Sequence, residues 1–193
     1  MIMEHKEGIM KAQQKNLINS CVWIAIGLFI IRCSCSWKNI VEGVSAYELF
    51  GFASEAISLV VIVFGLYEKF LWKINPWENT PKLAKRYTGT LKSNYDDVER
   101  KASLEIKQTL LSVHVTLITG ESKSRSLTAS IDEILGEMQL TYCYLNTPKA
   151  EYRVRSEIHY GTATLSLANP RSLEGQYYTD RNTNGDMLFV AEE

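Results

Sequence analysis

The sequence predicts an N-terminal two-helix transmembrane hairpin joined to an all-β C-terminal domain, a small antiparallel eight-stranded meander β-barrel. Three observations predict this architecture. Two long apolar spans fall within the first 75 residues, a linker with two prolines follows, and the remainder alternates apolar and polar residues between turn signals. A chain of 193 residues accommodates one ordinary domain and an appendage. The expected division is a cytoplasmic N-terminal segment at 1–16, two transmembrane helices at 17–73, a linker at 74–82 and a cytosolic ligand-binding barrel at 83–193.

The first span, LINSCVWIAIGLFIIRCSCS (residues 17–36), is unbroken from Cys21 to Ile31, and Arg32 is placed to snorkel at its end. The second, LFGFASEAISLVVIVFGLYEKFLW (residues 49–72), closes on an aromatic and basic belt of Tyr67, Lys69, Phe70, Trp72 and Lys73. A cleaved signal peptide and a pair of buried helices in a soluble bundle are the alternatives. Lys6, Lys11 and Lys15 precede the first span and Lys69, Lys73, Lys82, Lys85 and Arg86 follow the second, against Arg32 and Lys38 between them. This bias predicts an inner-membrane, multi-pass protein with both termini cytoplasmic. Gly51, Ser54, Ser58, Ile62 and Gly65 recur at three- and four-residue intervals, a small helix face suited to self-association or to packing against the first span. Glu55 lies beside it, where an isolated carboxylate costs about 2.5–3.5 kcal/mol, so it should be protonated, paired or turned to a watery interior.

Candidate strands follow at 84–93, 102–110, 111–119, 124–132, 137–146, 154–167, 173–181 and 185–191. Short turns between them and no convincing intervening helix indicate a meander, and closure into a barrel leaves no exposed edge and room for one small ligand. Alternation assigns the faces. Val113, Val115 and Leu117 point inward and His114 outward; Met138, Leu140, Tyr142 and Tyr144 point inward, as do Tyr87, Gly89 and Leu91. In GQYYTDRNTNGDMLF (residues 175–189) the inward row from Leu173 runs through Gly175, Tyr177, Thr179 and Arg181, while Tyr178 and Asp180 face solvent. Tyr160 and Thr162 are placed inward, with Gly161 as a bulge where parity switches to Ala163 and Leu165. Tyrosine faces, hydroxyls and one guanidinium around a shared mouth suit a ligand with planar rings and phosphates.

A net charge of −1 argues against a DNA or RNA polymer as partner. Cys21, Cys33, Cys35 and Cys143 show no metal-ligand spacing and are read as apolar fillers in a reducing compartment. With no P-loop, no H-E-x-x-H and no G-x-S-x-G, neither catalytic residues nor a metal or cofactor are expected. The acidic pair Asp96–Asp97 is read as a solvated turn.

Two spans, a Pro-containing linker and a strand-rich domain ending in G-x-Y-x-T-x-R-x-T-x-G (Gly175, Tyr177, Thr179, Arg181, Thr183, Gly185) resemble the two-transmembrane β-barrel effectors of bacterial CBASS anti-phage systems, the CD-NTase-associated membrane effectors. The resemblance implies a barrel that senses a cyclic dinucleotide made by a partner CD-NTase upon infection. It further implies oligomers that disrupt the lipid bilayer of the inner membrane and kill the infected cell. The terminal run is carried over from the resemblance, whereas Tyr142, Tyr144, Tyr160 and Thr162 rest on parity. A membrane-tethered carrier or sensor of a hydrophobic small molecule is the alternative.

Overall fold

A computed structural model describes residues 2–96, 98–154 and 156–192, with side chains described from residue 17 onward except at 38 and 39. The chain divides into two units, Met1–Asn75 and Pro76–Glu193.

The first unit is helical: α1 (Ile2–Cys35), α2 (Trp37–Gly43), α3 (Ala46–Lys69) and a 3-10 turn at Leu71–Lys73. Within α1 and α3, Leu17–Cys35 and Ala46–Lys69 are long and apolar enough to cross a membrane. The connection between the spans is helical rather than a plain loop, and Gly43 at φ +110° ends it. Ser45 then starts α3 through a reciprocal cap: its Oγ accepts the Glu48 N–H, and the Glu48 carboxylate accepts the Ser45 N–H.

The buried positions of α3 are Ala56 and Val60, with Phe52, Ala53 and Phe64 half-buried around them. At about 100° per residue, Gly51, Ser54, Ser58, Ile62 and Gly65 lie on the opposite side. They are exposed, and a Cβ at Gly51 or Gly65 would meet nothing within 4 Å. The small stripe therefore does not pack on α1. Arg32 is engaged within the hairpin: its Nε lies 3.0 Å from Glu55 Oε2 and its guanidinium stacks 4.3 Å from the Phe52 ring centre. Of the three solutions foreseen for Glu55, the structure shows pairing.

The second unit is a closed barrel in which each strand pairs antiparallel with the next: β1 (Arg86–Ser93), β2 (Glu99–Gln108), β3 (Val113–Thr119), β4 (Ser122–Ile134), β5 (Glu137–Pro148), β6 (His159–Ser166), β7 (Ser172–Thr179) and β8 (Asn184–Ala191). The ring closes between β1 and β8 over Tyr87↔Ala191 to Ser93↔Gly185. Eight strands leave an interior about as wide as side chains can fill, and alternation along each strand supplies the filling. Leu104, Leu140, Leu165, Leu173 and Phe189 are fully buried.

One end is sealed. The Tyr87 hydroxyl donates to the Pro170 carbonyl at 2.7 Å and accepts the Ala84 N–H at 2.9 Å. Gln108 holds the approach to β1 against this floor, accepting from Leu83 N–H and donating to the Pro81 carbonyl. Tyr87 is therefore a plug and not part of a binding mouth. The β1–β2, β3–β4, β5–β6 and β7–β8 connections all lie at the other end. There β5 and β6 are joined by the longest of the connections, which carries a 3-10 turn at Ala150–Tyr152, and β6 starts at His159, later than alternation predicts.

Candidate functional site

A cavity of about 340 Å³ opens at the unsealed end, within the range of small-molecule sites. Its deep wall is Leu91, Leu117, Tyr142 and Met187; above these stand Tyr144, Tyr177, Ser124 and Asn146; the rim carries Asp96, Arg100, Glu121, Ser156, His159, Thr179, Arg181 and Thr183. The four rim connections all contribute, because a meander returns every second turn to the same end.

Two glycines make room for the aromatic wall. Tyr144 pairs with Gly161 across β5–β6, and a Cβ at Gly161 would sit 2.4 Å from the Tyr144 ring and hydroxyl. Tyr177 pairs with Gly185 across β7–β8, where a Cβ would lie 2.7 Å from the Tyr177 ring and 2.2 Å from the Lys92 carbonyl. Each ring occupies the volume of its neighbour's missing side chain. Tyr142 and Tyr144 stack obliquely, with ring centres 5.8 Å apart.

Burial pushes both the Tyr142 and Tyr144 phenols far above the usual tyrosine range, with the Asp180 carboxylate adding to the effect at Tyr144. Both are neutral hydrogen-bonding groups at physiological pH. The Tyr142 hydroxyl is buried and has no hydrogen-bond partner among the described residues. The Ser124 hydroxyl donates to Asn146 Oδ1 at 2.9 Å, which turns the Asn146 amide nitrogen the other way.

The β7–β8 turn places the late guanidinium. Thr179 Oγ1 accepts from the backbone N–H groups of Arg181 and Thr183 and lies 2.7 Å from Thr183 Oγ1, while Asn182 adopts φ +57°. β7 ends at Thr179, so Arg181 reaches the rim from the turn and not from the strand's inward row. Its Nη1 donates to Ser156 Oγ at 3.1 Å, tying this turn to the β5–β6 loop.

Asp96 lies in an exposed turn, as the acidic pair was read, and is paired there. It accepts a bidentate pair from the two terminal nitrogens of Arg100, one bond at 2.9 Å, and this pairing holds its carboxyl down to about 2. Asp97 lies outside the described residues.

Two sequence-predicted residues are misplaced. Tyr160 is 57% exposed, and the Thr162 hydroxyl faces Cys143 Sγ at 3.4 Å on the outer surface; neither lines the cavity. The error was the bulge. β5–β6 register is continuous from Gln139↔Ser166 to Asn146↔His159, so the inward parity of Ala163 and Leu165 carries back through Gly161 to His159. Gly161 makes room for a ring instead of shifting the register.

A family described as "Cap15, cyclic dinucleotide receptor domain" matches residues 78–190. The chain is also 36% identical over 125 residues, 63% of its length and 68% of the relative's, to CD-NTase-associated protein 15 of Staphylococcus schleiferi. The chain belongs to the Cap15 family. Its barrel is accordingly a cyclic dinucleotide receptor domain, with a cyclic dinucleotide as its ligand class. The two-transmembrane CBASS effector resemblance holds at the level of the family.

The Cap15 barrel also contains residues that alternation missed. Arg100 lies inside because β2 begins at Glu99, three residues before the predicted start. Ala102, Leu104 and Ile106 already define that inward row, and its extension backward reaches Arg100. Asn146 follows Tyr142 and Tyr144 on the same parity. His159 Nδ1 lies 2.8 Å from the Glu157 carbonyl, an arrangement in which the ring nitrogen donates.

Proposed function

We propose that this Cap15-family chain is an anti-phage CBASS effector in which a cyclic dinucleotide enters the barrel mouth and favours an oligomer that disrupts the inner membrane. The observation that carries the reading is the convergence, in one cavity of a cyclic dinucleotide receptor domain, of two glycine-seated tyrosines with Arg100 and Arg181. The rings of Tyr144 and Tyr177 offer faces to the bases, Arg181 a charge-assisted contact to a phosphodiester, and Tyr142 and Thr179 hydroxyls along the wall. The polar share of this lining disfavours a carrier of hydrophobic molecules. The chain acts as a sensor and not as an enzyme.

In this reading both termini are cytoplasmic and the messenger reaches the barrel from the cytosol. The exposed stripe of Gly51, Ser54, Ser58 and Gly65 meets the same stripe of another copy, where small residues permit close backbone approach. Glu55, already paired with Arg32, flanks this contact. Ligand drives assembly only insofar as it binds the assembled state more tightly.

The test uses the full chain in liposomes loaded with a self-quenched dye. Cyclic dinucleotide should trigger release, and a Ser54→Leu, Ser58→Leu variant should bind the nucleotide without releasing dye. Unchanged release from that variant removes the stripe from the mechanism; binding without release from the parent chain removes membrane disruption.

A further inference from the structure

The Arg100 that lines the cavity is already engaged. Both terminal nitrogens are spent on the two oxygens of Asp96, and Nη1 also lies 3.3 Å from the Val98 carbonyl. Glu121, on the same rim, adds a second carboxylate whose charge acts on the same guanidinium. Among the described residues that line the cavity, Arg100 and Arg181 stand against Asp96 and Glu121, two guanidiniums against two carboxylates. A cyclic dinucleotide carries two phosphodiester charges, which those two carboxylates oppose.

We propose that Asp96 is a built-in competitor for the ligand's phosphate, holding Arg100 in a bidentate pair so that a cyclic dinucleotide gains a second guanidinium only by displacing the carboxylate. The inference rests on the receptor reading of the cavity. A carboxylate and a phosphodiester present comparable oxygen pairs to a planar guanidinium, so one can take the place of the other. The exchange also leaves the barrel intact. Asp96 lies between Asn94, which is bound to Asn184 through Asn94 N–H to the Asn184 carbonyl and Asn184 N–H to Asn94 Oδ1, and Glu99, where the ladder begins. No ladder hydrogen bond passes through the Asp96 side chain. The carboxylate thereby sets a threshold: phosphate-bearing metabolites that make weaker base and ribose contacts cannot recover the cost of breaking the pair. A ligand with two stacked bases can.

The test is a calorimetric titration of the full chain in detergent micelles with cyclic di-AMP, cyclic di-GMP and cyclic GMP–AMP. Four proteins are compared: the parent, Asp96→Asn, Arg100→Ala and the double variant. Asp96→Asn keeps Oδ1 for the Val98 N–H, and Asp96→Ser serves as a second form should the first unfold. The parent should bind at least one of the three. Asp96→Asn should bind it about tenfold more tightly or better, and the gain should vanish when Arg100→Ala is added. Unchanged or weakened binding by both Asp96 variants, or a gain that survives the loss of Arg100, overturns the competitor role and leaves the receptor reading standing. Failure of all four proteins to bind any of the three overturns both.

Discussion

Replacing Tyr142 by phenylalanine removes one oxygen from the deep wall of the cavity. In the unliganded barrel that oxygen is a liability: Tyr142 is 1% exposed and its hydroxyl finds no partner among the described residues. A buried polar group left unsatisfied costs about 1–3 kcal/mol, whereas deleting an oxygen opens almost no volume. Tyr142→Phe should therefore stabilise the unliganded barrel by about 1 kcal/mol and raise its melting midpoint by about 3–6 °C. If the hydroxyl is reserved for a polar atom of the nucleotide, the same change should weaken binding by about 0.5–1.5 kcal/mol, a loss of about twofold to tenfold. Thermal unfolding by circular dichroism, with and without cyclic dinucleotide, reads both effects, because ligand stabilises in proportion to its affinity. A destabilised unliganded variant would show that the hydroxyl is satisfied and that the reasoning is wrong. A stabilised variant with undiminished affinity would show that the ligand never reaches it.

Arg181→Ala should weaken cyclic dinucleotide binding by about 1.5–3 kcal/mol with little change in melting midpoint, since the residue is exposed; unaltered affinity in calorimetry would remove it from the site. Gly161→Ala places a methyl 2.4 Å from the Tyr144 ring and 2.8 Å from the Tyr178 carbonyl, so Tyr144 must leave its seat; unfolding free energy should fall by about 1–3 kcal/mol and binding should fall with it. Acid titration tests the Asp96–Arg100 pair. The folded carboxyl titrates at about 2 against about 3.9 in an unfolded chain, a depressed value whose stabilisation is present above about pH 4 and disappears as pH falls toward 2. The stability difference between the parent and Asp96→Asn should therefore shrink from pH 5 to pH 2, and a difference constant across that window would refute the pairing.

Strand number and neighbour order were legible because eight runs of alternating residues separated by short turns leave a closed meander as the simplest way to protect every edge. The inward rows through Val115, Leu140 and Leu173 followed from parity alone, and so did the positions of Tyr142, Tyr144 and Tyr177. The rim was harder to read. At a strand's open end the inward residues turn polar, the contrast that marks a strand fades, and Arg100 fell outside the predicted boundary. Gly161 was misread for a different reason: a glycine in a strand signals either a bulge or a close approach, and only cross-strand register, which brings Tyr144 over it, separates the two. The Asp96–Arg100 pair gave no signal, since four-residue spacing carries meaning in a helix but not in a loop. On α3, periodicity found the small stripe but left two uses open; the burial of Ala56 and Val60 on the far side shows which of them α1 does not make.

The sealed floor and the open mouth divide the cylinder into ends with separate duties. The polypeptide arriving from the helices joins it at the plugged end, where Gln108 and Tyr87 fasten the incoming segment, whereas the nucleotide cavity opens at the other. A hoop of strands without a free border bends little, so occupancy at one terminus reshapes the lip around it more readily than the distant attachment point. The connections that line the mouth are therefore separate from the hydrogen bonds that hold the incoming segment, and a change in the former leaves the latter in place.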